Sequence, residues 1–247
     1  MRAGLPEWVR KRLDPTQRYG LRVTLFAVAT LLVMVPFSFL LVQVTSRGPL
    51  TETDASVADA LNEVVHDSDA LVFAAKFVSF LGMPAWFYVI IGAAILFFLR
   101  HQDRRLAIFL AVTNLLGGAI DTVVKIAVNR PRPEVEHPIA HALGKSFPSG
   151  HVMATTVGYG SLLLAFMPLI PRRWRIPAVA AYFVMIVLMA LSRLGLGVHF
   201  VSDVIGGFVL GLAWLAAATA AFSIWRSERG KPPVELLEGA EPEVARQ

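Results

Sequence analysis

The sequence of 247 residues contains no cysteine and little charge. Without cysteine the chain can form no disulfide bond, and nothing about its redox compartment follows from the sequence. Charged residues make up only 17% of the chain and hydrophobic residues 55%, a balance that argues against an ordinary soluble domain. The sequence shows no internal repeat and no basic-aromatic motif, so it gives no reason to expect a nucleic-acid partner.

Long apolar runs dominate the sequence instead. A bilayer-spanning helix needs about 20 mostly apolar residues, and several runs reach that length. We therefore predict an all-α integral membrane protein, a bundle of six transmembrane helices. The runs lie at roughly 23–42, 70–99, 106–124, 152–170, 176–192 and 204–224. The second run contains Gly82 and Pro84, which indicates a short outer segment leading into the span proper.

Three regions follow from these runs. A basic segment (1–22) precedes the six-helix membrane domain (23–225), and a tail rich in Glu, Pro and Gly (226–247) follows it. The composition of the tail predicts disorder.

Arginine and lysine residues flank the apolar runs unevenly. They are concentrated in the N-terminal segment, in the second and fourth connections and at the start of the tail. The positive-inside rule places these segments and both termini in the cytoplasm, in a multi-pass protein of the cytoplasmic (inner) membrane. The net charge of +5 then reflects orientation and contact with anionic membrane lipids.

The first connection, 51–69, is acidic and is expected on the outer side. It is predicted to be partly helical. The apolar residues expected roughly on one helix face are Leu50, Val57, Leu61, Val64 and Val65.

The predicted topology brings three polar clusters to the outer face. Their sequences are KIAVNRPRP (125–133), KSFPSGH (145–151) and SRLGLGVHFVSD (192–203). The clusters supply several cations, and Arg and Lys side chains suit a phosphate dianion. We therefore expect an anion site there.

The second and third clusters also carry groups suited to catalysis. Ser149 and Gly150 stand where a helix begins, and its unpaired N–H groups favour an anion. His199 and Asp203 have i,i+4 spacing, so the carboxylate can orient one ring nitrogen and leave the other free to attack. His151, beside the helix start, can protonate a leaving alkoxide.

The three clusters resemble the signature of a known family. Six residues lie between Lys125 and Arg132-Pro133, and PSGH ends at His151. Five residues lie between Arg193 and His199, and three lie between His199 and Asp203. This pattern is similar to the three-part signature of the type 2 phosphatidic acid phosphatase superfamily. The resemblance covers roughly residues 106–211.

The resemblance implies a role for each matched residue. Lys125, Arg132 and Arg193 would hold the phosphate, with hydrogen bonds from Ser149 and Gly150. His199 would form a phosphohistidine, Asp203 would orient it, and His151 would be the general acid. Neither a metal nor another cofactor is implied.

The implied reaction removes a terminal phosphate from a lipid phosphate or pyrophosphate at the outer face. Undecaprenyl pyrophosphate, phosphatidic acid and phosphatidylglycerol phosphate all satisfy this expectation. Arg130, in NRPRP, is a weaker candidate for contact with a second phosphate or the head group, and it favours a pyrophosphate. The expected partners are the lipid phosphate substrate and membrane lipids.

Two alternative functions remain open. His137 and His141 have the i,i+4 spacing of zinc ligands, although Pro138 lies between them and no HExxH motif exists. A lipid-phosphate transporter or flippase would use Asp121 and Asn114 as polar groups within the membrane. The sequence favours another role for Asp121, which is to pair with Lys125 one turn later.

Overall fold

The structure is a computed structural model in which the regular secondary structure described is helical, apart from an isolated bridge between Glu235 and Gly239. The described residues are 34–46, 50–136, 138–230, 234–241 and 243. The α-helices are α1 (Met34–Thr45), α2 (Leu50–His66), α3 (Asp69–Phe80), α4 (Pro84–Arg100), α5 (Arg104–Val128), α6 (Gly150–Phe166), α7 (Arg172–Gly195) and α8 (Val201–Glu228). A 3₁₀ turn, Met167–Leu169, follows α6.

Four helices in the described part of the chain, α5 to α8, are long and apolar enough to cross a membrane. Helices α3 and α4 form a fifth candidate span if the two are counted as one, and the chain bends by 47° between them. The prediction of a short outer segment before the second span agrees with this bend. The prediction of six spans is not confirmed, because 23–33 lies outside the described residues and α1 is short.

Local sequence sets the helix ends near the polar clusters. The Ser68 side chain accepts a hydrogen bond from the Leu71 N–H at the start of α3, and Pro84 occupies the first turn of α4. Asn129 ends α5 in the left-handed conformation, with φ 54°, and its N–H donates to the Lys125 carbonyl at 3.0 Å. The described residues between Asn129 and the start of α6 form no regular secondary structure.

Helix α6 lies at the centre of the bundle and packs against α4, α5, α7 and α8. Glycines allow this close packing: a Cβ at Gly158 would lie 2.3 Å from the Phe87 ring, and one at Gly160 would lie 2.4 Å from Leu215. Small residues at helix interfaces let neighbouring backbones approach in membrane proteins. Large apolar side chains such as Tyr88 and Leu115 point outward and are exposed, as lipid contact requires.

The described part of the tail is packed against the helices, contrary to the expectation of disorder. At the end of α8 the Arg226 side chain is completely buried, and it pairs with Glu241 at 3.1 Å. Near the start of α7, Arg175 donates to the Leu237 carbonyl at 2.6 Å. The amino-acid composition of the tail did not predict these contacts, because they are made with arginines at the ends of helices.

We predict that Gly207→Ala destabilises the fold. A Cβ at Gly207 would lie 2.6 Å from the Ser149 carbonyl oxygen, so the backbones of α6 and α8 must separate, at a cost of about 1–3 kcal/mol. Thermal unfolding in detergent should show a lower melting temperature. Gly118→Ala is the matched control, because a Cβ there has no neighbour within 4 Å. Equal melting temperatures for the two variants would contradict the prediction.

Candidate active site

A buried histidine–carboxylate pair lies at the junction of α7 and α8. His199 Nδ1 is 3.3 Å from Asp203 Oδ2, and the two side chains are 2% and 0% exposed. The Phe200 N–H donates to the same carboxylate oxygen at 2.9 Å. With Nδ1–H donating to Asp203, the Nε2 atom of His199 keeps its lone pair.

Arg132 lies beside that free nitrogen. Its Nη1 is 3.3 Å from His199 Nε2 and donates to the Val198 carbonyl at 2.8 Å. Its Nε and Nη2 donate to the Gly144 and Leu143 carbonyls at 3.2 and 3.1 Å. These backbone acceptors hold the guanidinium in place between two loops.

Lys125 reaches from the last turn of α5 to the start of α6. Its Nζ lies 2.6 and 2.7 Å from the two Asp121 carboxylate oxygens and donates to the Pro148 carbonyl at 2.8 Å. The predicted pairing of Asp121 with Lys125 is thus confirmed. A Cβ at Gly150 would lie 2.9 Å from Nζ, so glycine leaves room for the ammonium group at this helix start.

Arg193 is a further cation, buried in the last turn of α7. Its Nη1 donates to Ser79 Oγ at 2.5 Å, and its Nε has no hydrogen-bond partner among the described residues. The Ser149 N–H donates to the Asp203 carbonyl at 2.9 Å, and Ser149 Oγ also lacks a partner within the described ranges. Arg193 lines the cavity described below, whereas Ser149 is completely buried.

These side chains surround one end of a cavity of about 860 Å³. The predicted residues that line it are Lys125, Arg132, Gly150, His151, Arg193 and His199. Its other end is an apolar groove between α4 and α5 with α6 as its floor, lined by Phe87, Ile91, Ile95, Leu115, Gly118 and Val157. The cavity therefore suits an amphipathic molecule with an anionic head.

Three of the predicted residues do not line the cavity. Ser149 and Asp203 lie behind it, in contact with its lining as described above. Arg130 is 8% exposed, and its guanidinium pairs with Asp203 at 2.7 Å and with Asp54 at 3.0 Å. Two buried carboxylates thus hold its guanidinium outside the lining of the cavity.

Two residues on α3 also line the cavity and were not predicted from the sequence, Lys76 and Ser79. Lys76 adds a cation to the wall. It is the one basic residue in the apolar helix DALVFAAKFVSF, and such an isolated charge was the signal that could have found it. Asp54, on α2, was missed because it lies in an acidic stretch outside the three clusters.

The structure does not test the alternative of a zinc site formed by His137 and His141, because His137 lies outside the described residues. Among the residues that are described, no group of three His, Cys, Asp or Glu side chains could hold a metal ion.

The region of the site is similar to known proteins. A family model of the PAP2 superfamily matches residues 106–227. A crystal structure of a transmembrane PAP2-type phosphatidylglycerolphosphate phosphatase from Bacillus subtilis superposes with a TM-score of 0.68 at 25% identity, covering 76% of this chain and 93% of that one.

Two curated relatives from Bacillus subtilis are similar in sequence. One, a phosphatidylglycerophosphatase B, is 37% identical over 127 residues, which cover 50% of this chain and 60% of the relative. The other, an undecaprenyl-diphosphatase, is 29% identical over 160 residues, which cover 62% of this chain and 76% of the relative. The chain spans less than two thirds of the length of the first relative.

Burial determines the charge state of His199. It lowers the pKa of His199 to about 4, and the positive charges of Arg193 and Arg132 act in the same direction. The hydrogen bond and negative charge of Asp203 oppose this shift without cancelling it. His199 is therefore neutral at pH 7, which is the form that can act as a nucleophile.

We predict that His199 makes the fold less stable in acid. An unfolded histidine binds a proton near pH 6.5, whereas the folded pKa of His199 is about 4. As the pH falls through this window, the unfolded state gains protons that the folded state does not, and stability falls by up to about 3 kcal/mol. His199→Gln should lose less thermal stability than the wild type between pH 6.5 and 4. The exposed His141→Gln variant should follow the wild type, and parallel curves for all three proteins would refute the prediction.

Proposed function

We propose that the chain is a lipid phosphate phosphatase of the PAP2 superfamily, whose family model matches residues 106–227, and that it acts through a phosphohistidine on His199. One observation carries the proposal: a neutral, carboxylate-oriented imidazole lines the cationic end of a cavity whose other end is apolar. The reaction needs both ends, because the substrate joins a phosphate to a hydrocarbon chain.

The chemistry divides into two displacements. In the first, His199 Nε2 attacks phosphorus, the bond from phosphorus to the lipid oxygen breaks, and His151 gives a proton to that oxygen; His151 carries this proton when the phosphate dianion bound beside it stabilises the imidazolium. In the second, His151 takes a proton from water, the water oxygen attacks phosphorus, and the P–N bond breaks to release phosphate. Asp203 stabilises the positive charge on the imidazole in the intermediate.

The cations stabilise the charge on the transferred phosphoryl group. Lys125, Arg132 and Arg193 all line the cavity, and preorganised cations in a site shielded from water stabilise a transition state strongly. We propose that the reaction needs no metal ion, because these three side chains supply the positive charge. Ser149 Oγ and the N–H groups at the start of α6 add hydrogen bonds.

The apolar groove supports a membrane lipid as substrate. Tyr88 and Leu115 line the cavity and are also exposed on the outer surface of the bundle, so a hydrocarbon chain can enter sideways from the bilayer. Arg130, which favoured a pyrophosphate, does not line the cavity, and the proposal covers lipid phosphates as a class. Lys76 is the cation on the wall that is available to a second anionic group.

We also propose the orientation predicted above, with the site at the outer face of the cytoplasmic membrane. The cavity lies at the end of the bundle where α5 and α7 finish and α6 and α8 begin. Arginines cluster at the opposite end, at the starts of α5 and α7 and the finish of α8. By the positive-inside rule the arginine-rich end is cytoplasmic.

The first prediction from this proposal concerns phosphate release. Purified wild-type protein in detergent with EDTA should release phosphate from a panel of lipid monophosphates and pyrophosphates. His199→Ala should lower kcat by at least about 10³-fold, since it removes the nucleophile. Brief incubation with ³²P-labelled substrate should label the wild type with acid-labile phosphate.

His141→Ala is the matched control, because it removes a histidine from the cavity wall without touching the His199–Asp203 pair. It should keep most of the activity. Loss of activity in EDTA, restored by zinc, would contradict the metal-free mechanism. No release from any lipid by the folded protein would favour a transporter instead.

The second prediction concerns the side of the membrane. The chain has no cysteine, so Leu143→Cys introduces a single thiol at a position that is 98% exposed, in the loop beside Arg132. A membrane-impermeant maleimide should label this variant on intact cells. The control, Arg173→Cys at the opposite end of the bundle, should be labelled only after lysis. The reverse pattern would overturn the orientation.

A further inference from the structure

We infer that Arg130 and Asp54 are positioning residues for the proposed nucleophile, so that the outer helix α2 forms part of the catalytic unit. The inference rests on the proposed function of His199. It concerns a segment outside the residues that the family model matches, since α2 ends at His66 and the match begins at 106.

The carboxylate of Asp203 has a different partner on each oxygen. Oδ2 accepts from the Phe200 N–H at 2.9 Å and faces His199 Nδ1 at 3.3 Å. Oδ1 accepts from Arg130 Nη1 at 2.7 Å. Arg130 therefore fixes the rotation of the carboxylate, and with it the oxygen that is presented to the imidazole.

Arg130 is itself held on several sides. Its Nη1 also donates to Ser202 Oγ at 2.7 Å, and its Nη2 lies 3.0 Å from Asp54 Oδ2. Its guanidinium carbon lies 4.1 Å from the centroid of the Phe200 ring, within the range of a cation–π contact. A buried, planar donor held in this way has little freedom to turn.

Asp54 joins this network to α2. Its Oδ1 accepts from the Ser202 N–H at 2.9 Å, its Oδ2 accepts from the Ser202 hydroxyl, and the residue is 5% exposed. Two turns later, Asn62 Nδ2 donates to the Gly195 carbonyl at 3.0 Å. Helix α2 is therefore fixed to both sides of the turn that carries His199.

The charges explain why two carboxylates are needed. Arg130 alone would neutralise Asp203 and weaken the attraction of Asp203 for the positive imidazole of the intermediate. Asp54 supplies a second negative charge next to Arg130, so the three groups together keep one net negative charge beside His199. Arg130 thus orients Asp203, and Asp54 offsets the charge of Arg130.

The test compares Arg130→Met, Arg130→Lys and Asp54→Asn with the wild type. Displacing a reacting group by about 1 Å can lower the rate by about 10²-fold, and we expect kcat of Arg130→Met to fall by up to that factor. KM should change less than about twofold, because Arg130 does not line the cavity. Arg130→Lys should recover part of kcat, and Asp54→Asn should lower kcat by about 10-fold, a smaller loss because Arg130 stays in place.

Matched controls are Asp59→Asn, an exposed acid on the same helix, and Arg173→Met, an exposed arginine at the other end of the bundle. Both should keep the wild-type kcat. If Arg130→Met does not fold, the two conservative variants decide the question. A raised KM with unchanged kcat would show that Arg130 contacts the head group, and unchanged kcat in all variants would also overturn the inference.

Vanadate binding gives a reading that does not depend on turnover. Vanadate mimics five-coordinate phosphorus bonded to the imidazole nitrogen, so misplacing His199 should weaken its binding by about tenfold in Arg130→Met and Asp54→Asn. A wild type that binds vanadate but releases no phosphate would refute the proposed function alone. Vanadate affinities equal to that of the wild type in both variants would refute the positioning role.

Discussion

The pairing of the buried Asp203 carboxylate is the interaction on which the site depends. A charge removed from water is stable only when it is paired and hydrogen-bonded, and Asp203 is completely buried. Its partners come from several parts of the chain: His199 and Phe200 precede it, and Arg130 follows α5. Satisfying this one carboxylate therefore brings the pieces of the site together.

Close backbone approach is the second requirement, and glycine supplies it where the polar ends of the helices meet. The starts of α6 and α8 touch through Gly207 and the Ser149 carbonyl, while Gly150 leaves room for the Lys125 ammonium. A side chain at either glycine would separate groups whose hydrogen bonds are 2.8 to 2.9 Å long. The geometry of the cationic end of the cavity thus depends on residues that contribute no functional group themselves.

Much of the site could be predicted from sequence because its residues lie at the ends of long apolar helices, where topology alone decides which groups meet. Features that depend on tertiary partners could not be predicted from the sequence. On α2 the expected apolar face is confirmed only in part: Leu61 and Val65 pack against the bundle, whereas Val57 and Val64 are exposed. Asp54 and Asn62 are buried instead, because α2 also packs on polar groups around the site, and its hydrophobic pattern does not show that part of its buried face. The buried ion pairs of Arg130 and the packing of the tail also depend on tertiary partners, so the sequence did not predict them.

The lateral opening between α4 and α5 has a consequence for how the reaction ends. Under the proposed function the lipid alcohol diffuses away within the bilayer, whereas inorganic phosphate dissolves in the surrounding water. The two products partition into different phases and seldom meet again at His199, so the reverse reaction is suppressed by geometry as well as by dilution. Under that function the occupancy of the groove follows the mole fraction of the lipid substrate in the membrane.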